Sequence, residues 1–330
     1  MPRLAALRAV LIAVLLAVTA CAPAIQHGLR PDLTFAGPRL EEDAFISSDG
    51  ERLALTRWSP DGEPWAVIVA LHGWNSHAGA FRRAGPFWAS HGILTLAYDQ
   101  RGFGRNHDQR GVWPGTRLMT EDLRTMVTLV RARYPHAVIA VAGTSMGGSV
   151  AIETFASPNA PAIDRLILLT PGIWGWSTQP PANRAALWVV GHTAPGVHVT
   201  PPSWLVGRFA ASNNIEEVAG STRDPLIIWS MRPDNLYGLV GLMEHASHDI
   251  ARLGVPTVYL YGAHDHVMPR GAAVVAAHRL PPTARTAFYP DGYHWLLLDR
   301  DAPLVWADIE AFLHDPAAPW PSHVGPIPAR

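Results

Sequence analysis

Lysine is absent from this 330-residue chain, and cysteine occurs once, at Cys21. The 26 basic residues are therefore all arginine, and with 27 acidic residues they give a formal net charge of −1. A chain of this balance has no basic tract for nucleic acid, and one cysteine excludes a disulfide framework within the chain. The hydrophobic content of 48% is that of a packed globular protein.

The N-terminal residues have the pattern of a secretory signal. Two arginines precede an apolar run at 9–18, which is too short for a stable membrane span, and small residues lead to Cys21. We predict a signal peptide at 1–20. The segment 21–38 is polar, contains proline and glycine, and lacks periodicity, so we predict a tether there.

Short apolar runs alternate with helical patterns along the body of the chain. The runs lie at 52–58, 66–71, 93–98, 138–142, 165–170, 257–261 and 285–289. Their continuous hydrophobicity is typical of strands covered on both faces, and the alternation predicts an α/β fold with a mostly parallel sheet and helices on both faces. One helix is predicted at 120–134, because Thr120 and the acids after it favour a helix N-terminus.

The alternation stops between residues 171 and 250. This segment is rich in Pro, Gly and Trp and is too long for an ordinary loop. We predict a helical cap inserted after the sixth strand, with 39–170 and 251–315 as the core. The tryptophans Trp174, Trp176, Trp188, Trp204 and Trp229 lie in this segment. They are expected either to pack the cap or to form an apolar wall over a ligand.

The motif Gly143-Thr144-Ser145-Met146-Gly147 follows an apolar run directly and precedes a helical pattern. In that context Gly-x-Ser-x-Gly predicts a sharp strand-to-helix turn that raises the Ser145 hydroxyl clear of the sheet edge. Ser145 is therefore the candidate nucleophile. The amide of Met146, next to it at a helix N-terminus, is a candidate donor to an oxyanion.

A nucleophilic serine needs a base to take its proton, and the base needs an acid to fix its tautomer. Asp265 follows the strand at 257–261, and His294 follows the strand at 285–289. The order Ser, acid, His is the one that serine hydrolases on such sheets use. We predict Asp265 as the acid and His294 as the base, with Asp291 open as an alternative acid.

The loop after the strand at 66–71 begins His72-Gly73-Trp74. An oxyanion hole needs two amides, and we predict the Trp74 amide as the second donor, with His72 bracing the loop. No metal site is predicted, because His264 and His266 have no further ligand at metal-binding spacing.

These motifs resemble the α/β-hydrolase superfamily, in its branch of monoacylglycerol lipases, lysophospholipases and serine aminopeptidase-like enzymes. Residues 72–81 (HGWNSHAGAF) are similar to that branch's His-Gly-x-x-x-His-x-x-x-aromatic loop, and 99–106 (DQRGFGRN) to its Asp-x-Arg-Gly-x-Gly-x-Ser loop. Three residues depart from the pattern. Asn75 and Ser76 stand where the branch has Gly-Glu, and Asn106 stands where it has Ser.

The resemblance implies a serine hydrolase without a cofactor that cleaves carboxylic esters through an acyl-enzyme on Ser145. It implies monoacylglycerols or lysophospholipids as substrates. A serine aminopeptidase of the proline iminopeptidase type stays open, since cap acids could hold a free amine. Those acids are Glu216, Glu217, Asp224, Asp234 and Glu244. A non-catalytic, lipid-anchored binding protein on the same fold also stays open.

Cys21, after small residues, resembles the lipobox of bacterial lipoproteins. That resemblance implies cleavage before Cys21 and acyl chains on it, which would explain a lone cysteine in an exported chain. It implies a lipid-anchored protein of the bacterial cell envelope, with Ala22 favouring the outer membrane over the inner. A plain signal peptide stays open as the alternative, and the sequence leaves the oligomeric state undetermined.

Overall fold

The structure, a computed structural model, describes residues 22–106, 109–201 and 210–329. The predicted signal peptide and lipidation site Cys21 lie outside these ranges, as does Trp204. Within them, no helix combines the length and the apolar character needed to cross a membrane.

Nine strands of the described residues form one sheet, in the order β1-β2-β3-β5-β4-β6-β7-β8-β9. They are β1 Arg39–Leu40, β2 Ala44–Ile46, β3 Arg52–Trp58, β4 Ala66–Leu71, β5 Ile93–Tyr98, β6 Val138–Thr144, β7 Arg165–Leu169, β8 Thr257–Gly262 and β9 Arg285–Tyr289. The pairs among β4 to β9 are parallel, and those of β1 to β3 are antiparallel. The predicted mostly parallel sheet is confirmed.

Helices cover both faces of this sheet. They are α1 Ala84–Ser90, α2 Thr116–Arg133, α3 Met146–Phe155, α4 Pro181–Thr193, α5 Ile215–Arg223, α6 Pro233–Asp249, α7 Arg270–Arg279 and α8 Ala302–His314. Alternate residues of β4 divide between two cores: Val67 and Val69 pack with residues of α2, α3 and α7, whereas Ile68 packs with those of α1 and α8. The sheet therefore has a buried apolar layer on each side, which explains its continuously hydrophobic strands.

Helices α4, α5 and α6 lie in the insertion between β7 and β8, and α6 packs against α3. The insertion is predicted after the sixth strand, but the strand before it, β7, is the seventh. The predicted apolar runs up to residue 170 number five, and the short strands β1 and β2 precede them.

Helix α2 begins at Thr116, one turn before the predicted start at Thr120. One of the two acids expected in its first turn, Asp122, is 2% exposed and accepts two hydrogen bonds from the guanidinium of Arg101, at 2.6 and 2.7 Å. Arg101 also pairs with Asp49 at 2.6 Å. The carboxylate of Asp122 therefore belongs to a buried ion pair and does not mark the start of the helix.

The segment predicted as a tether makes specific contacts with the domain. The backbone amide of Gln26 donates to Trp113 O at 2.9 Å, and its side-chain amide donates to Val112 O at 2.8 Å. On either side of Gln26, the Ala24 amide donates to the Asp234 carboxylate at 3.4 Å and the Leu29 amide donates to the Asp49 carboxylate at 3.0 Å. Residues 24–29 are therefore fixed on the domain.

A carboxyl pair joins α3 to the end of α6. Burial, together with the charge of Asp249 and a hydrogen bond to it, raises the pKa of Glu153 from 4.5 to about 7. Asp249 is itself paired with Arg252 at 2.5 Å. Between about pH 4.5 and 7, folded Glu153 holds a proton that it would release in the unfolded chain.

We expect this pair to make the free energy of unfolding fall as pH rises from about 4.5 to about 7. The folded state binds the Glu153 proton more tightly than the unfolded chain does. The stability gained in this way is therefore complete below the pKa of Glu153 in the unfolded chain and is lost as the pH rises through its pKa in the folded state. Glu153→Gln should flatten the dependence in urea unfolding between pH 4 and 8. The matched control is Glu216→Gln, at an exposed position on α5; equal slopes in the two variants would contradict the assignment.

Candidate active site

Ser145 occupies a strained turn between β6 and α3. Its φ of 50° and ψ of −119° lie outside the regions that L-residues favour, at a typical cost of about 1–3 kcal/mol. Hydrogen bonds on both sides hold it: its amide donates to Leu169 O at 3.0 Å, and its carbonyl accepts from Gly148 N at 2.9 Å and Gly172 N at 2.8 Å. The turn predicted from Gly-x-Ser-x-Gly is present.

Both glycines of the motif are required by close backbone approach. A Cβ at position 143 would lie 2.5 Å from Gly147 O, and one at position 147 would overlap the carbonyl of Leu71 at the end of β4. In the neighbouring loop, a Cβ at Gly73 would meet Ser145 Cβ at 3.2 Å. The Ser145 side chain therefore lies directly against the loop that follows β4.

The register of the sheet brings the three candidate residues to one edge. Thr144 pairs with Leu169 between β6 and β7, Leu169 pairs with Leu260 in β8, and Gly262 pairs with Tyr289 at the end of β9. These strands are parallel, so the segments that carry Ser145, Asp265 and His294 all leave the sheet at its carboxyl edge, where ligands of such sheets bind.

His294 Nδ1 lies 2.8 Å from Asp265 Oδ2, and the two side chains are 6% and 0% exposed. The other carboxylate oxygen of Asp265 accepts from the amides of Val267 and Met268, each at 2.8 Å. A carboxylate held in this way accepts a hydrogen bond from the N–H group at Nδ1. The lone pair of Nε2 is then free to take a proton. The alternative acid, Asp291, is exposed, and its carbonyl accepts a hydrogen bond from Asn213.

The two candidate oxyanion donors are backbone amides at the carboxyl edge of the sheet. Met146 is the first residue of α3 and is fully buried. Among the described residues, neither the Met146 amide nor the Trp74 amide has a hydrogen-bond acceptor. Amides without partners beside the candidate nucleophile, one of them at a helix N-terminus, suit a developing negative charge.

His72 has the bracing contacts that were predicted. Its Nε2 accepts from the Gln100 amide at 2.8 Å, and its Nδ1 donates to Gly73 O at 2.8 Å. Burial lowers the pKa of His72 to about 4, so the ring is neutral at physiological pH and can accept at Nε2.

The cap makes three hydrogen bonds to residues 72–77, the loop that carries the candidate Trp74 amide and is called the oxyanion loop below. Trp74 Nε1 donates to Asn235 Oδ1 at 2.7 Å, the Asn75 carbonyl accepts from the Ile228 amide at 3.0 Å, and His77 Nε2 lies 2.9 Å from Asp224 Oδ2. Asn75, which replaces the glycine of the related loop, has a φ of 58°, and asparagine tolerates this left-handed conformation better than most residues. Sequence reasoning missed Asn235, because it lies 161 residues from Trp74.

Four of the five cap acids that could have held a substrate amine already have partners. They are Glu217 with Arg82, Asp224 with His77, Asp234 with Arg232, and Glu244 with the Ser177 amide. The fifth, Glu216, is exposed in the first turn of α5. These contacts occupy four of the five carboxylates that could bind the free amino group of a peptide substrate.

The described tryptophans of the cap serve mainly to pack it. Trp174 and Trp176 lie against the core, and Trp229 Nε1 donates to a carbonyl of the cap, Ser221 O, at 3.3 Å. Trp188 is 50% exposed on α4 and stacks on His192. The two histidines on either side of Asp265, His264 and His266, both pack on the ring of Tyr293.

Comparisons with known proteins identify the family of this chain. Residues 62–301 match the family described as serine aminopeptidase, S33. The chain is 26% identical to a monoacylglycerol lipase of Mycolicibacterium smegmatis over 274 residues, which cover 82% of this chain and 96% of that protein. It is also 26% identical to a monoglyceride lipase of Rattus norvegicus over 284 residues, 84% of this chain and 89% of the relative.

Two solved structures share the fold. A monoacylglycerol lipase of Paleococcus ferrophilus aligns with a TM-score of 0.67 and 18% identity, covering 81% of this chain and all of that one. A soluble variant of a monoglyceride lipase of Saccharomyces cerevisiae aligns with a TM-score of 0.68 and 15% identity, covering 89% of this chain and 99% of that one.

Proposed function

Since this chain belongs to the serine aminopeptidase S33 family of α/β-hydrolases and is a carboxylic-ester hydrolase, we propose that it cleaves monoacylglycerols or lysophospholipids through an acyl-enzyme on Ser145. The observation that carries the proposal is the 2.8 Å contact between His294 and Asp265. It lies at the sheet edge where Ser145 occupies its strained turn. Relatives named as monoacylglycerol lipases, each matched over most of its length, support the substrate class.

The proposed reaction uses each group once in each half. Ser145 Oγ attacks the ester carbonyl while His294 Nε2 takes its proton, and Asp265 stabilises the imidazolium. The amides of Met146 and Trp74 hold the oxyanion. Collapse releases the alcohol, which receives the proton from His294 and leaves the acyl group on Ser145. Water then attacks with His294 as base, releasing the fatty acid and restoring the Ser145 hydroxyl.

Esters are favoured over N-terminal peptides because recognition of a free amine requires an available carboxylate. Asp234 and Glu217 are each in an ion pair with an arginine, Asp224 is hydrogen-bonded to His77, and Glu244 accepts from Ser177 and His248. An amine that bound any of these four acids would have to displace a partner, and the cost of leaving that partner unpaired would oppose binding. The fifth acid, Glu216, is exposed in the first turn of α5.

A substrate panel tests the proposal. We expect purified protein to release fatty acid from monooleoylglycerol and lysophosphatidylcholine, and p-nitrophenol from medium-chain esters, with little release of naphthylamine from prolyl- and alanyl-naphthylamide. Initial rates at matched substrate concentration give the comparison. Faster turnover of the naphthylamides would favour the aminopeptidase, and no turnover together with no fluorophosphonate labelling would favour a binding protein.

We also propose that Cys21 carries the lipid anchor. The small residues before it support this. In a bacterial host fed an alkyne fatty acid, the full chain should be labelled and sediment with membranes, and Cys21→Ser should lose the label. An unlabelled wild-type chain would refute the anchor.

A further inference from the structure

Thr170, the residue after β7, has a backbone conformation that its side chain disfavours. Its φ is 41°, and it is fully buried. A β-branched residue in the left-handed region is an outlier, and such strain persists only where the surroundings over-determine it. Position 170 would accommodate glycine or asparagine with less strain, so the presence of threonine calls for a function of its side chain.

The backbone around Thr170 is tied to the nucleophile turn on both sides. The carbonyl of the preceding residue, Leu169, accepts from Ser145 N at 3.0 Å, and the amide of Gly172 donates to Ser145 O at 2.8 Å. The Thr170 amide itself donates to Leu260 O at 2.9 Å. The position of Thr170 is therefore fixed relative to Ser145, whatever its side chain does.

The side chain of Thr170 contacts the loop that carries the base. Its Oγ1 donates to the backbone carbonyl of His294 at 2.9 Å, in a buried environment. The neighbours of His294 are held from elsewhere: the Tyr293 amide donates to Asp299 at 2.7 Å, and the Trp295 amide donates to Ala211 O at 2.7 Å. Among the described residues, the hydrogen bond from Thr170 is the one that joins the backbone of His294 to the nucleophile side of the sheet.

We infer that Thr170 is a positioning residue that sets the imidazole of His294 relative to Ser145. Asp265 fixes the tautomer and orientation of the ring at Nδ1, and the Thr170 hydroxyl fixes the backbone from which the ring extends. The inference rests on the proposed function, because it takes His294 as the base. A positioning role for its hydroxyl explains why a strained threonine occupies position 170, which packing alone does not explain.

Three substitutions separate the hydroxyl from the shape and from the strain. Thr170→Val keeps the branched shape without the hydroxyl, and Thr170→Ser keeps the hydroxyl. Thr170→Gly removes both the hydroxyl and the strain. With p-nitrophenyl butyrate, we expect kcat to fall about 10- to 100-fold in the Val and Gly variants with KM near that of the wild type, since a small displacement of a catalytic group has effects of this size. The Ser variant should stay within about threefold of wild type.

The matched control is Thr257→Val. Thr257 is also fully buried, and its hydroxyl donates to a backbone carbonyl, Val255 O, at 2.8 Å, but it lies at the amino end of β8. We expect it to lose stability and keep kcat, which separates a lost buried hydrogen bond from a displaced base. Thermal unfolding shows whether each variant is folded, and the Gly variant covers the case in which Val fails to fold.

Two further readouts respond to a displaced base and not to lost stability. The pH profile of kcat/KM should show a changed apparent pKa of the base in the Val and Gly variants, and the downfield NMR resonance of the His294 Nδ1 proton should shift or broaden. Wild-type kcat in either folded variant would overturn the inference while leaving the proposed function intact. Failure of the wild type itself to hydrolyse esters would instead remove the proposed function.

Discussion

Ser145→Ala is expected to lower ester turnover by at least about four orders of magnitude, because no other atom replaces the attacking Oγ, and binding and the oxyanion donors alone give a small residual rate. The fold should persist, since alanine keeps the Cβ and the backbone bonds of Ser145 to Leu169, Gly148 and Gly172 do not involve the hydroxyl. Release of p-nitrophenol and the thermal midpoint, measured on one preparation, test the two statements.

Ser157→Ala is the control for this experiment. Ser157 follows the end of α3, and its hydroxyl donates to Thr154 O at 2.6 Å, so the variant loses a helix-end hydrogen bond without touching the site. We expect it to keep full turnover and fluorophosphonate labelling, both of which Ser145→Ala should lose. Retention of most activity in Ser145→Ala would exclude Ser145 as the nucleophile.

Asp265→Asn should lower kcat by about three to four orders of magnitude with the fold intact. In the wild type, one carboxylate oxygen accepts from Val267 N and Met268 N, and the other accepts from His294 Nδ1. An asparagine would keep its carbonyl towards the two amides and turn its NH₂ group towards Nδ1. The ring would then carry its proton on Nε2, where it cannot accept the proton of Ser145.

Asp291→Asn provides the matched comparison, because Asp291 lies three residues from His294 and was the alternative acid. Its exposed position predicts turnover within about twofold of wild type. Steady-state kinetics of both variants decide between the two acids. An equal loss in both would mean that the charge of the loop matters more than the hydrogen bond at Nδ1.

The features that could be predicted from the sequence depend on local patterns. The Ser145 turn requires glycines at fixed offsets because backbones meet there, and the strands before Asp265 and His294 are continuously apolar because both faces of the sheet are covered. A parallel sheet then brings the ends of those strands to one edge. The predicted site residues follow from this chain of local rules.

The features that escaped prediction depend on contacts between distant segments. Asp122 pairs with a buried arginine, which no helix-capping rule anticipates. Gln26 binds a loop 86 residues away, and Asn235 holds Trp74 across 161 residues. In Thr170, the sequence gives no sign of a positive φ, because nothing local favours it. Such contacts are decided by packing, which a periodic pattern does not record.

The grip of the cap on the oxyanion loop has a consequence for protein engineering. Exchanging the cap for that of another hydrolase would be one way to change which substrate enters. In this enzyme the transplanted element would also need to supply counterparts of Asn235, Ile228 and Asp224, which hold the loop bearing the Trp74 amide. A cap without these counterparts would change the position of the Trp74 amide as well as the substrate selectivity. The reaction rate would then change for every substrate alike.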